Sequence, residues 1–297
     1  MGVKMKNQIF RGVITALVTP FRNGNLDEEA LRRHIQYQIE GGVQGVLPCG
    51  TTGESPTLSH EEHKRVVELT VAETGGRIRV LAGAGSNSTC EALDLVEHAA
   101  RVGADGVLVV APYYNKPTQE GLFLHYQALG QVGLPIIIYN IPGRCGVNIL
   151  PETLARIAKE IPAVIGVKEA TGDLNQMIQT IELCGPDFLV TSGDDSLTLP
   201  LLAVGGGGVI SVASNLIPGS LVEMWCAWES GDLSGAREKF FHMLPLFRAL
   251  FLETNPILVK TALSFMGRMV GEMRLPMCPP RAETIKVLRR SMEQWGL

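Results

Sequence analysis

A (β/α)8 barrel with a C-terminal helical extension is the fold the sequence predicts, on three observations. Eight short Val- and Ile-rich runs recur at even intervals, segments of helical spacing separate them, and strand candidates stop near Glu229. Continuous apolar strands joined by crossover helices make a parallel sheet covered on both faces, and eight such units are what a closed barrel requires. A doubly wound open sheet is the competing arrangement.

The elements follow in chain order. GVITALVTP is the first strand, and Asp27 then caps a helix, EEALRRHIQYQIE, that stops at Gly41 and Gly42. GVLPCG follows, then Ser59 caps HEEHKRVVELTVAE, which ends at Gly75 and Gly76. IRVLAGAG leads to a helix closed by Gly103, and DGVLVVAPYY is the fourth run. PIIIYNIP precedes Pro151, which opens ETLARIAKE, while AVIGVKEA, FLVTSGDD and GVISVAS complete the set. The predicted domains are a catalytic barrel over 1–229 and a helical domain over 230–297.

With 297 residues, 45% hydrophobic and 19% charged, the chain can bury one large core. A net charge of −4 and the lack of a dense Lys/Arg block point away from nucleic acid and anionic membranes, and towards a small molecule. Cys49, Cys90, Cys145, Cys184, Cys226 and Cys278 are scattered without a C-x-x-C pair, which suggests neither a zinc site nor a disulfide framework and reads as a reducing, cytoplasmic compartment. The opening MGVKMKNQIF is not followed by the apolar region of a secretory signal. Ser196 to Val222 carries no charge and is long enough to cross a bilayer, yet its glycine run and two prolines suit turns and short buried elements better.

Barrel active sites gather at the C-terminal ends of the strands. Those ends are polar here: Gly50-Thr51-Thr52-Gly53-Glu54, Tyr113-Tyr114-Asn115, Tyr139-Asn140, Lys168-Glu169 and Ser192-Gly193-Asp194-Asp195. Alternation puts Val164, Gly166 and Lys168 on one face of their strand, so Gly166 is expected to leave space beneath the lysine. A poorly solvated ammonium has a lowered pKa, and the neutral amine can condense with a ketone to give a Schiff base. A rim lysine paired with Glu169 or another carboxylate is the plain alternative. Lys260, in NPILVKTAL, is read as an ordinary helix-face lysine. Tyr139 is a candidate proton shuttle or a core tyrosine, and Thr51 and Thr52 offer hydroxyl and N–H groups to a carboxylate or simply make a turn.

Taken in order, GTTGESPTLSHEEH, APYYNKP, YNIPGRCG, GVKEATGD, SGDD and GGGGVISV closely resemble the bacterial and plant 4-hydroxy-tetrahydrodipicolinate (dihydrodipicolinate) synthases, over nearly the whole chain. These belong to the Schiff-base pyruvate aldolase and lyase group. The resemblance implies condensation of pyruvate with L-aspartate 4-semialdehyde, on the diaminopimelate route to lysine, without metal or organic cofactor. Lys168 would form the imine and Tyr139 relay protons; Thr51 would connect Tyr139 to Tyr114, which reaches a partner subunit's site. Thr51 and Thr52 would hold the pyruvate carboxylate and Arg144 that of the semialdehyde, with Gly193, Asp194 and the backbone of Ile210 in support. Ser55, Pro56, His60, His63, Asn87, Glu91 and Tyr113 resemble the lysine-binding allosteric site of feedback-inhibited members, with Pro56 where alanine is common. A homotetramer, built as a dimer of dimers, is implied as well.

Competing readings attach to several of these residues. His60 and His63 lie three apart on one helix face, which raises a metal site, but the usual helical zinc pair is spaced i, i+4. Glu54, Glu169, Asp194 and Asp195 suggest a metal-dependent aldolase, although histidines are missing from those strand ends. The glycines at 205 to 208 precede the eighth strand and read as a packing turn, and neither a P-loop nor G-x-G-x-x-G is present. A 2-keto-3-deoxy sugar-acid or neuraminate aldolase would want hydroxyl-binding groups in place of Arg144. A non-catalytic metabolite sensor would have no need of an activated amine.

Overall fold

The computed structural model describes residues 9–297. Met1 to Gln8, which hold most of the stretch read as lacking a secretory signal, lie outside the described residues. All eight runs form strands: β1 (Gly12–Ala16) and, after a hairpin of β2 (Phe21–Arg22) and β3 (Asn25–Leu26), β4 (Gly45–Leu47), β5 (Arg79–Gly83), β6 (Gly106–Val110), β7 (Ile136–Asn140), β8 (Val164–Glu169), β9 (Leu189–Ser192) and β10 (Gly208–Ser211). The eight close into a barrel in the order β1-β10-β9-β8-β7-β6-β5-β4. Pairing is parallel throughout the measured registers, for example Ile14 with Gly45 and Val107 with Ile136. Both strand faces are buried, as continuous apolar runs require.

The predicted helix signals are used. Asp27 accepts the Ala30 N–H ahead of the helix Glu28–Glu40, and Ser59 with Glu62 forms a reciprocal capping box on His60–Thr74. Such caps are each worth about 1 kcal/mol. Pro151 opens Pro151–Glu160, where its missing N–H costs no helical bond. Past Glu229 come the helices Leu233–Leu250, Ile257–Phe265 and Ala282–Glu293, and Gly271 makes a parallel bridge to Phe21.

The described residues form two compact units. One takes Arg79–Ile210 with the residues up to Gly12, and the other takes Val13–Ile78 with Ser211–Leu297. In the first, the glycine run packs tightly. A Cβ at Gly208 would stand 2.1 Å from the Gly12 carbonyl oxygen, and the Gly12 N–H donates to the Gly207 oxygen at 2.9 Å. In the second, β2 and β3 turn at Asn23 and Gly24, both with positive φ (53° and 79°), a dipeptide suited to a tight hairpin. The charge-free stretch breaks into the helix Thr198–Ala203, β10 and the helix Pro218–Glu229. Among the described residues no helix is long and apolar enough to cross a membrane.

Candidate active site

Register decides which side chains meet Lys168. In the parallel ladder Lys168 lies opposite Tyr139 of β7 and Thr191 of β9. Directly paired residues project to the same face of a sheet. Accordingly the Lys168 Nζ lies 4.1 Å from the centre of the Tyr139 ring, and both residues are at least nine-tenths buried. Burial lowers the Lys168 pKa from 10.5 to about 7; the Asp195 carboxylate pulls it up and the Arg144 guanidinium pushes it further down. The neutral amine is therefore a main species near neutrality.

The glycines around this lysine do different work from that expected. Gly166 leaves no space: a Cβ there would stand 2.3 Å from the Leu189 carbonyl oxygen and 3.1 Å from Ile137 Cδ1. The absent side chain lets β9 approach β8 closely, and a register shift beside Ile136 and Ile137 means that simple alternation does not run through the start of β8. Space for the lysine is made at Gly193 instead, where a Cβ would meet Lys168 Cε at 3.1 Å and Ala170 Cβ at 2.6 Å. Gly193→Ala is expected to displace the amine and lower kcat by about 10²-fold with a smaller effect on melting temperature, measured by steady-state kinetics beside thermal unfolding. An unchanged kcat would show that the lysine stem has room to shift.

Glu169 is not the partner of Lys168. Its buried carboxylate accepts from Asn140 Nδ2 at 3.2 Å, the Thr171 N–H at 3.0 Å and Gln176 Nε2 at 3.3 Å. Burial raises its pKa, and the amide donors oppose that. Asn148 joins the cluster, accepting from Asn140 Nδ2 at 2.8 Å and donating to Gln176 Oε1 at 2.8 Å, while Asn140 Oδ1 takes the Ile149 N–H at 3.1 Å. This ties the loop after the short helix Pro142–Cys145, which carries Arg144, to the ends of β7 and β8. Sequence reasoning missed Asn148 and Gln176, which sit in loop and helix with nothing local to mark them.

Elsewhere in this unit, Asp194 closes its own turn, its carboxylate taking the Ser196 N–H and hydroxyl at 2.8 Å each. Asp195, read from sequence only as a possible metal ligand, is buried and acts electrostatically on Lys168. Ile210 lies in β10 with its side chain buried, next to the Val209 that pairs with Ser192. Tyr114 is 89% exposed at a positive φ of 75°, and its N–H donates to the Cys145 carbonyl at 3.3 Å. Tyr113 is partly exposed, and Asn115 links its carbonyl to that of Asn87 through bonds of 2.9 Å each. Glu91 accepts from the Ser86 hydroxyl at 2.7 Å.

In the other unit, the turn Gly50–Gly53 is closed by the Gly53 N–H to Gly50 at 3.1 Å and the Glu54 N–H to Thr51 at 3.1 Å. Those bonds leave the N–H groups of Thr51 and Thr52 outside the turn's own ladder. Thr51 is half-buried, and the buried Thr52 accepts from Asn255 Nδ2 at 3.0 Å. Ser55 and Pro56 form the short 3-10 turn that follows, and Pro56 is exposed. His60 is exposed while His63 is buried, so the two do not share one environment. Among the described residues no group of three His, Cys, Asp or Glu side chains is arranged to hold a metal ion. Lys260 is not a helix-face lysine: it is wholly buried and ion-paired with Glu54.

Comparison with known proteins agrees with this fold and places the chain in a family. Residues 9–295 match the dihydrodipicolinate synthetase family. The chain is 59% identical to the 4-hydroxy-tetrahydrodipicolinate synthase of Nitratidesulfovibrio vulgaris strain DP4, over 91% of this chain and 93% of that one. It superposes with a TM-score of 0.95 on the synthase of Cyanidioschyzon merolae with lysine bound, at 40% identity over 98% and 99% of the two chains. A monomeric dihydrodipicolinate synthase variant matches with a TM-score of 0.96 and 48% identity over 99% of each chain.

Proposed function

The chain belongs to the dihydrodipicolinate synthetase family, a lyase condensing pyruvate with L-aspartate 4-semialdehyde in lysine biosynthesis, and we propose that it does so through an imine on Lys168. The observation that carries this is the buried Lys168 amine facing Tyr139 in register, with its pKa lowered to about 7. The neutral Nζ attacks C2 of pyruvate, and Tyr139 relays the protons that let the carbinolamine lose water. The iminium then acidifies C3, whose proton leaves to give the enamine. C3 of the enamine attacks the aldehyde carbon, and the semialdehyde's own amino group displaces Lys168 from C2. That last exchange closes the ring and returns the free amine.

In this reading Thr51 and Thr52 take the pyruvate carboxylate, and Thr51 joins Tyr139 to Tyr114 of the proton relay. Gly193 gives the lysine its room, and Asp194 and the Ile210 backbone support the site. Arg144 takes the carboxylate of the semialdehyde, a planar anion suited to a guanidinium fork. Ser55, Pro56, His60, His63, Asn87, Glu91 and Tyr113 form a lysine-binding regulatory site, an assignment that the lysine-bound relative supports. A dimer of dimers, with Tyr114 crossing an interface, is part of the proposal, as are a cytoplasmic setting and a 1–229 barrel with a 230–297 helical domain. The exposure of Tyr114 supports the interface role.

Borohydride trapping with pyruvate, read by peptide mass spectrometry beside an assay of semialdehyde consumption, tests the core. A pyruvyl adduct on Lys168 with semialdehyde turnover is expected; an adduct without turnover points to the sugar-acid aldolases, and no adduct to a sensor. For Arg144→Ala the semialdehyde KM is expected to rise about 10²-fold, the loss of a charge-assisted pair, while the pyruvate adduct persists. Unchanged kinetics would remove Arg144 from the site.

A further inference from the structure

Lys260 lies in the helix Ile257–Phe265, and Ile257 to Leu263 are all buried. An ammonium at such a depth is costly unless it is paired and hydrogen-bonded. Its Nζ is paired with the Glu54 carboxylate, donates to the Thr19 carbonyl at 2.9 Å and stands 4.4 Å from the centre of the Phe21 ring. The second Glu54 oxygen accepts the Arg274 N–H at 3.1 Å. The Arg274 guanidinium grips both oxygens of Glu62 at 2.6 and 2.5 Å and donates to the Thr57 carbonyl at 2.8 Å. The C-terminal residues thus hold the segment after the threonine turn from several directions.

Stability alone is a poor reason for such a pair, because apolar residues of similar volume often serve as well. Geometry is the better reason. Glu54 directly follows Gly53 and holds the left-handed conformation, φ 53°. Thr19 gives its carbonyl to Lys260 and its hydroxyl to the Gly53 carbonyl at 2.7 Å. A Cβ at Gly53 would lie 3.2 Å from that same hydroxyl oxygen, so the contact is close. Asn255, just before the Lys260 helix, donates to the Thr52 hydroxyl oxygen at 3.0 Å. With an acceptor lone pair engaged there, Thr52 keeps its single O–H to offer to an anion.

We propose that Lys260 and Asn255 are positioning residues for the condensation: the Lys260–Glu54 pair and the Asn255–Thr52 bond fix the Gly50–Gly53 turn in the form that receives the ketoacid carboxylate. The inference rests on the reading of that turn as the pyruvate carboxylate site. It gives the C-terminal helical segment a part in ketoacid binding, distinct from the semialdehyde contact at Arg144.

The test uses the full-length enzyme with Asn255→Ala, Lys260→Met and the double variant Glu54→Gln/Lys260→Met, following KM for each substrate, kcat, borohydride trapping and melting temperature. For Asn255→Ala the pyruvate KM is expected to rise about tenfold, with the semialdehyde KM unchanged and Lys168 still trapped at saturating pyruvate. In the double variant the melting temperature recovers relative to Lys260→Met, because no buried carboxylate is left unpaired, while the pyruvate KM stays raised. Recovery of both together, or a pyruvate KM unmoved in Asn255→Ala, would show a merely structural role and overturn the proposal. If Lys260→Met does not fold, Asn255→Ala decides alone. Failure of the unmodified enzyme to form the Lys168 adduct would overturn the underlying reading of the site, and this proposal with it.

Discussion

Lys168→Met is expected to abolish the borohydride-trapped pyruvyl adduct and to lower turnover by at least about 10⁴-fold, while leaving melting temperature unchanged or higher. Methionine keeps most of the volume of the lysine stem beside Gly193, and it removes an amine held in a site where its charge is poorly solvated. Activity and stability therefore part company at this residue, as they do where a site is built against its own stability. A variant that retained turnover would remove the imine from the mechanism.

The same lysine sets a pH dependence with a definite sign. Its nucleophilic form is the unprotonated one, so the rate of adduct formation should rise about tenfold per pH unit below the midpoint and level off above it. With the pKa lowered to about 7, that midpoint falls near neutrality instead of near 10.5. Arg144 pushes the value down and Asp195 pulls it up, so Arg144→Ala moves the midpoint to higher pH and Asp195→Asn to lower pH. Opposite shifts, or none, would show that these groups do not act on the amine. Stopped trapping reactions between about pH 5 and 9 read all three.

The barrel and its lysine were legible because both are written in local patterns. An apolar run of strand length interrupted by Lys168, and a tyrosine ending the run before it, are visible along the chain, and parallel register then sets them side by side. Gly166 was misread because alternation alone places it below Lys168; the approach of Leu189 from the next strand fills that place. The strands of the Asn23-Gly24 hairpin are two residues each, too short to show an apolar run of their own, although the turn itself carries a clear signal. Lys260 had none, since its carboxylate partner is Glu54, roughly two hundred residues away in sequence. Long-range polar pairs leave no periodicity, and an apolar helix carrying one lysine looks the same whether the lysine is buried or exposed.

Glu169 offers a large expected loss of stability in the unit that holds Lys168. Its carboxylate is wholly buried and receives donors from three different places: Asn140 at the end of β7, the Thr171 backbone just beyond β8, and Gln176 in the helix Leu174–Cys184. Glu169→Leu would leave those donors facing hydrocarbon. Asn140 and Gln176 keep their bonds with Asn148, so the expected cost is about 3 kcal/mol and not the sum of all contacts, a fall in melting temperature of roughly 5 °C. Glu169→Gln keeps the shape but turns an N–H₂ group towards donors, so a smaller fall is expected. The informative readout is kinetic. Because Asn140 and Asn148 anchor the loop behind Arg144, Glu169→Gln should raise the semialdehyde KM several-fold while the pyruvate KM holds. Equal changes in both constants would mean that the carboxylate supports the whole barrel end, with no preference for the Arg144 loop.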